Sequence, residues 1–320
     1  MKSSSLKKEP LTLCDTTPLT KGQKLLQHFK SYFWLYLFIL PTLIWYAIFM
    51  YAPMGGIIIA FKRYTGAQSI WESKWVGLRY FRSFFNSFYA KTAITNTITL
   101  SLYCLATFPL PIILALMINE VNNAKFKKTV QTIMYAPHFI STVVLVSMLN
   151  IFFTNSGLVN DLLQALGLER VDFLTNPETY PHLYTWSYVW QSLGWNCIIY
   201  VAALSGVDPA LHEAATLDGA SRLQRIWHIN LPTIMPTVII MLIMSVGSIM
   251  TSNTDKALLM LNDLNADTAE VIGTLVYSRG LVSGDYSYST AVGLFTNVVN
   301  LILLLTVNKV SEKVAETSLF

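Results

Sequence analysis

The chain has 320 residues, of which 53% are hydrophobic and only 12% are charged. An average soluble domain carries roughly 25% charged residues, so this composition, with its long apolar runs, is typical of a membrane protein. The net charge of +4 is modest and the basic residues are scattered, which argues against a nucleic-acid partner. The three cysteines have no spacing that indicates a disulfide framework or a metal site.

The chain begins with a polar, basic segment of 31 residues. It lacks the apolar stretch and cleavage site of a signal peptide, so we expect a retained cytoplasmic tail. Six apolar spans follow, each long enough to cross a hydrocarbon core of about 30 Å. The sequence therefore predicts an all-α polytopic membrane protein, with spans at about 32–61, 95–118, 129–153, 182–204, 233–252 and 290–307.

An even number of spans places both termini on one side of the membrane. Lys and Arg are more frequent in the segments that would then face inward, which places both termini in the cytoplasm. The first outer segment, 62–94, departs from this trend because it combines basic and aromatic residues. Either a helix in the membrane interface or an aromatic belt with snorkelling cations explains that segment. A second outer segment, 157–167, has the apolar spacing of a short amphipathic helix.

The loop between the fourth and fifth spans, 205–232, has the signals of a helical hairpin. Asp208 is a good N-cap and Pro209 suits the first helical position. Gly219 can adopt the left-handed conformation that ends a helix, and a second short helix follows from Ser221 to about His228. We therefore predict a helix-turn-helix on the cytoplasmic side.

The same loop resembles the EAA loop of ABC importer permeases, which has the pattern E-A-A-x3-G-x9-I-x-L-P. In those permeases the loop is the coupling helix, which docks in a cleft of the ATPase subunit and moves with it. Seven fixed positions match without a gap: Glu213, Ala214, Ala215, Gly219, Ile229, Leu231 and Pro232. The resemblance implies that these seven residues, with Leu217, Asp218, Ala220 and Arg222, couple the chain to an ATPase.

Other segments resemble the carbohydrate-uptake group of type I ABC importers, in particular its oligosaccharide and polysaccharide branch. They are 51–64, 77–81, Asn96 with Thr97, 295–308 and 318–320. This branch includes permeases for acidic oligosaccharides such as alginate or pectin fragments. The resemblance implies a bacterial inner-membrane permease domain (32–308) between cytoplasmic tails (1–31 and 309–320).

The resemblance also implies the partners of the chain. They are a second, homologous permease subunit in a heterodimer, two ATPase subunits, an extracytoplasmic solute-binding protein, the oligosaccharide and membrane lipid. The sequence contains no G-x-x-x-x-G-K-[ST] phosphate loop, so ATP and Mg²⁺ are expected in the partner ATPase and no cofactor in this chain. The chain is thus expected to transport and not to catalyse.

Polar side chains at membrane depth are costly and usually face a cavity or a neighbouring helix. Aromatic rings and amides together suit sugars, whose C–H faces stack and whose hydroxyls form hydrogen bonds. For each residue taken singly, an aromatic belt with ordinary interhelical hydrogen bonds is the favoured explanation, and the prediction rests on the set as a whole. We predict a substrate path lined by Gln191, Trp195, Asn196, Tyr200, Ser252, Asn253, His138 and Asn150.

Two other functions remain open from the sequence. A secondary transporter or channel for a small polar solute needs a coupling ion or an intramembrane charge site, and the spans show no such site. A membrane enzyme of lipid or glycan chemistry needs a His, Asp and Glu set near the interface, and none has a convincing spacing.

Overall fold

The computed structural model describes residue 22 and residues 28–251, 253–315 and 318–319, so most of the predicted N-terminal tail lies outside the described residues. Within these ranges the regular structure is helical, apart from an isolated bridge between Lys62 and Trp75. The chain divides into two compact units, residues 1–56 and 57–320.

The first unit contains one long apolar helical stretch. Helix α1, Phe33–Tyr46, includes Pro41 and continues through a π-helical turn, Ala47–Tyr51, into Ala52–Met54. Every residue from 28 to 54 is exposed, although most of these side chains are apolar. This is the pattern of a helix that is covered by lipid or by another subunit.

The second unit begins with the segment that carries basic and aromatic residues. A 3₁₀ helix, Gly55–Phe61, precedes helix α2, Arg79–Phe85. Phe84 of α2 is buried, with its ring centroid 5.7 Å from that of Phe295 and 6.2 Å from that of Tyr288. Part of this aromatic segment therefore belongs to the protein core, whereas neighbouring Phe85 is exposed.

The second and third predicted spans are each divided. The second consists of helix α3, Phe88–Ala106, and helix α4, Pro109–Asn119, separated where Pro109 begins the new helix. The third was expected as one span at 129–153, but it consists of α5, Ala124–Tyr135, a 3₁₀ turn, Ala136–Phe139, and α6, Thr142–Phe153. Pro137 lacks the backbone N–H that a continuous helix requires, and the Ser141 hydroxyl caps α6 by accepting from Val144 N.

The remaining helices follow the predicted order. The predicted amphipathic helix at 157–167 is present, and the fourth span is a single helix of 25 residues. The fifth span begins earlier and ends earlier than expected, because the second helix of the hairpin runs into it through a π-helical turn, Ile226–Asn230. These elements are α7 Leu158–Ala165, α8 Tyr180–Leu204, α9 Pro209–Leu217, α10 Arg222–Arg225, α11 Leu231–Gly247, α12 Thr254–Met260, α13 Ala266–Ala269, α14 Ile272–Tyr277 and α15 Tyr286–Ala315.

Five helical stretches in the described part of the chain are long and apolar enough to cross a membrane. Helix α8 is a more polar helix, and its 25 residues extend about 38 Å, which is also enough for a crossing. It packs against α3, α4, α5 and α11 and is thus central to the second unit. The five apolar stretches are Phe33–Phe61, Phe88–Asn119, Thr142–Ala165, Arg222–Gly247 and Tyr286–Lys313.

Buried polar side chains of α3 fix the loop that precedes α14. Asn96 Nδ2 donates to the carbonyl oxygens of Asp267 and Glu270, both at 2.9 Å. The hydroxyl of Thr97 accepts a hydrogen bond from Ile272 N at 2.9 Å. These carbonyl and N–H groups lie at the ends of short helices, where they have no hydrogen-bond partner within the helix. The side chains of Asn96 and Thr97 supply the missing partners.

Candidate functional site

The first helix of the hairpin has the predicted start. Asp208 Oδ1 accepts a hydrogen bond from Ala210 N at 2.9 Å, and Pro209 occupies the first turn of α9. The cap satisfies one of the N–H groups that a helix start leaves free, and proline has no N–H to satisfy at its position. The entry into the hairpin is therefore fixed by two adjacent residues.

The turn between α9 and α10 depends on a left-handed glycine. Gly219 has φ of +78°, as predicted for a helix stop. Ala220 N donates to Ala215 O at 2.9 Å, and Gly219 N donates to Thr216 O at 3.1 Å. This pair of bonds is the Schellman motif, which satisfies the last carbonyl groups of a helix and turns the chain sharply.

The second helix has its own cap and a bond to the first. Ser221 and Gln224 form a reciprocal capping box, with Ser221 N donating to Gln224 Oε1 at 2.7 Å. Arg225 Nη1 donates to the Thr216 hydroxyl and so joins the two helices of the hairpin. The S-x-x-Q spacing is visible in the sequence and could have been used to predict this cap.

The hairpin presents an apolar surface to its surroundings. The Leu217 side chain is 90% exposed, that of Leu223 is 78% exposed and that of Trp227 is 68% exposed. Glu213 is also exposed, so an acidic group accompanies these apolar side chains. Large exposed apolar patches with polar groups near them are typical of protein interfaces. Seven of the predicted coupling residues are exposed: Glu213, Ala214, Leu217, Asp218, Gly219, Arg222 and Pro232. The other four are half-buried: Ala215, Ala220, Ile229 and Leu231.

A cavity of about 290 Å³ lies among helices α3, α4, α8 and α11 and the segment that follows α11. Its lining combines aromatic rings with hydroxyl, thiol and amide groups, and none of the lining residues is charged. Such a mixture suits a polar ligand that can both stack on aromatic rings and form hydrogen bonds. The polar and aromatic lining residues are Ser101, Cys104, Thr107, Phe108, Tyr184, Tyr188, Asn196, Tyr200, Ser245, Ser248, Thr251 and Asn253.

Three of the predicted path residues line this cavity. Asn196 and Tyr200 lie four residues apart on α8, and Asn253 caps α12 by accepting a hydrogen bond from Lys256 N at 3.1 Å. A separation of four residues places two side chains on one face of a helix. The polar face of α8 is thus turned toward the cavity.

The other predicted path residues lie elsewhere. Gln191 Nε2 donates to Ile140 O at 2.7 Å, which joins α8 to the loop before α6. Trp195 stacks on His138 with ring centroids 4.2 Å apart, outside the cavity lining. Asn150 lines a second, smaller cavity of about 160 Å³, and Ser252 lies outside the described residues.

Several cavity residues were missed because they lie at the end of α3. Ser101 and Cys104 belong to the last turns of α3 and Thr107 directly follows it, so the three polar side chains recur at intervals of three residues. This spacing keeps them near one face and is a signal that the sequence offers. Among the described residues no group of three or more His, Cys, Asp or Glu side chains could hold a metal ion.

Comparison with known proteins identifies the family to which the chain belongs. Residues 107–315 match the model of the family described as "Binding-protein-dependent transport system inner membrane component". The chain is 41% identical to Protein LplB of Bacillus subtilis (strain 168) over 302 residues, covering 94% of this chain and 95% of that protein. It is 42% identical to the polygalacturonan/rhamnogalacturonan transport system permease protein YteP of the same organism, covering 94% of each.

A solved structure shows the same fold. One chain of a bacterial alginate ABC transporter, crystallised in complex with an alginate pentasaccharide-bound periplasmic protein, matches with a TM-score of 0.85 and 40% identity. The match covers 92% of this chain and all of that chain. This chain therefore belongs to the family of inner-membrane components of binding-protein-dependent transport systems, and it is a multi-pass permease subunit of an ABC transport system.

Proposed function

We propose that this permease subunit translocates oligosaccharides, including acidic ones, across the inner membrane. The observation that carries the proposal is the cavity between α3, α4, α8 and α11, whose lining offers aromatic rings, hydroxyls and amides but no charge. The names of the relatives support it, because they include polygalacturonan, rhamnogalacturonan and alginate transporters. The predicted path residues Asn196, Tyr200 and Asn253 would contact the sugar.

The hairpin α9–α10 would couple the cavity to ATP hydrolysis. ATP and Mg²⁺ would bind to a separate ATPase, and closure of two ATPase subunits would move the hairpin, which docks in a cleft of one of them. The hairpin continues without interruption into α11, which lines the cavity, so a movement of one would reach the other. ATP would thereby shift the population between inward-facing and outward-facing states.

The permease would work as part of a larger assembly. A second, homologous permease subunit would complete the translocation path as a heterodimer, and a solute-binding protein would deliver the substrate from outside. The unburied apolar helix α1 supports such an assembly, because it offers surface for lipid or a second subunit. Both termini would face the cytoplasm, with the permease domain at 32–308 between the two tails.

The proposal is tested by uptake into proteoliposomes that contain the complete importer. We expect uptake of oligogalacturonides that requires ATP inside the vesicles and the solute-binding protein outside, and that is unaffected by a protonophore. Uptake that persists without ATP and collapses with an ion gradient would show a secondary transporter instead. Uptake of a structurally unrelated solute, with no oligosaccharide transported, would contradict the proposed substrate class.

A further inference from the structure

A buried lysine lies beside the central cavity. The side chain of Lys256 on α12 is 1% exposed. Its Nζ donates to Tyr184 O at 2.8 Å and lies 4.8 Å from the centroid of the Tyr184 ring. In the described ranges of the chain no carboxylate forms an ion pair with Lys256. Buried charges are normally paired, so an unpaired buried ammonium is costly and calls for an explanation.

The groups around Lys256 belong to the cavity wall. Tyr184, whose ring and carbonyl contact the ammonium, lines the cavity. Asn253, which caps the helix that carries Lys256, lines it as well. The ammonium is therefore behind the wall, and the lining itself contributes no charge that would cancel its potential.

We propose that Lys256 is a specificity-determining residue that favours carboxylated oligosaccharides by placing a positive potential behind the wall of the central cavity. This inference rests on the proposed function of the same cavity. An interaction between charges in a protein interior is screened far less than in water, so it acts through an intervening aromatic ring. This potential would stabilise a sugar carboxylate in the cavity, but it would not stabilise a neutral sugar.

The charge of Lys256 would respond to an anion in the cavity. Burial lowers the pKa of Lys256 from 10.5 to about 7, because desolvation disfavours the charged form. The titratable side chains that face it are Cys104 on α3 and Tyr184 on α8. An anion in the cavity favours the protonated lysine, so the positive charge is strongest when a carboxylated substrate is present.

A purely structural role is the competing explanation, because the bond to Tyr184 O also ties α12 to α8. The chain offers a control for it in Lys62, which is 8% exposed. Lys62 Nζ donates to the carbonyl oxygens of Ile70 and Trp71 at 2.9 and 3.1 Å, and it lies 5.7 Å from the Trp71 ring centroid. It is a buried lysine of the same kind whose contacts do not line the cavity.

The test compares two substrates in the complete reconstituted importer. Uptake of trigalacturonate and of its trimethyl ester is measured for wild type, Lys256→Met, Lys256→Arg and Lys62→Met. The same binding protein delivers both substrates, so its own preference cancels when variants are compared. We expect Lys256→Met to reduce kcat/KM for trigalacturonate relative to the ester by about tenfold, which corresponds to ~1.4 kcal/mol. Lys256→Arg should restore most of the preference, and Lys62→Met should leave it unchanged.

Several outcomes would overturn the inference. An equal loss of both substrates in Lys256→Met would show that the lysine only supports the fold. An unchanged preference in that variant, or an equal change of preference in Lys62→Met, would contradict the proposed role as well. If the ester is not transported, kcat/KM for trigalacturonate is compared among the three variants. Lys256→Met should then lower it, whereas Lys256→Arg and Lys62→Met should retain most of it. Failure of the wild type to transport either compound would instead refute the proposed function.

Discussion

At the scale of single residues, the close packing of α8 against α5 depends on a glycine. A Cβ atom at Gly194 would lie 2.0 Å from Met134 O, which is backbone of α5. The two helices can approach this closely only because glycine has no Cβ, as in many helix pairs of membrane proteins. The position adjoins Trp195 and Asn196 and so helps to orient the face of α8 that meets the cavity.

Replacing this glycine should therefore loosen the helix pair. We expect Gly194→Ala to destabilise the permease by about 1–3 kcal/mol, because the backbone of α5 has to move. The measurement is the thermal unfolding midpoint of the purified complex, which should fall by several degrees. Gly293→Ala is the control, since no atom lies within 4 Å of a Cβ at that position. An equal midpoint for the two variants would contradict the role of Gly194.

At the scale of elements, the hairpin is the part of the molecule that local sequence determines most completely. The cap at Asp208, the proline after it and the left-handed Gly219 were predicted from the sequence, and the structure confirms all three. Such signals are local because each depends on residues within one turn of helix. The same locality explains why the division at Pro109 and the amphipathic helix α7 follow the sequence.

Gly219 has a left-handed backbone conformation that a β-branched residue does not readily adopt. A valine at φ of +78° is strained by roughly 1–2 kcal/mol, although space for its Cβ is available. We expect Gly219→Val to lower ATP-driven uptake by about tenfold, because the hairpin would leave its docking conformation. Gly219→Asn is the comparison, since asparagine tolerates the left-handed region, and it should retain most of the uptake. Similar activity in both variants would show that the turn geometry does not matter for coupling.

The cavity could be predicted only in part, because its lining comes from helices that are distant in sequence. Asn196 and Tyr200 were predicted because amides and aromatic rings at membrane depth suit sugars, and both line the cavity. Trp195 and Gln191 belong to the same polar stretch, but they contact the segment that connects α5 to α6. Lys256 was missed since its position beside Tyr184 depends on tertiary structure, which no local pattern records: α12 packs on α6 and α14, and the Lys256 side chain reaches the Tyr184 carbonyl of α8.

At the scale of the whole molecule, the described residues leave two apolar surfaces exposed, that of α1 and that of the hairpin. Such surfaces are typical of contact with lipid or with another protein. The hairpin continues through a π-helical turn into α11, which lines the cavity, so a continuous helical path joins an exposed surface to the cavity. We propose that this path carries the energy of ATP hydrolysis to the sugar.

The number of oligosaccharides imported per ATP hydrolysed, measured in proteoliposomes, tests that claim most directly. We expect the double variant Glu213→Ala with Gly219→Asp to lower this ratio at least tenfold, or to lose the ATPase during purification. The control is Glu169→Ala with Gly167→Asp, an exposed glutamate and a glycine that also has φ of +78°, outside the hairpin. It should keep the wild-type ratio. Full transport and full ATPase stimulation in the hairpin variant would contradict the account.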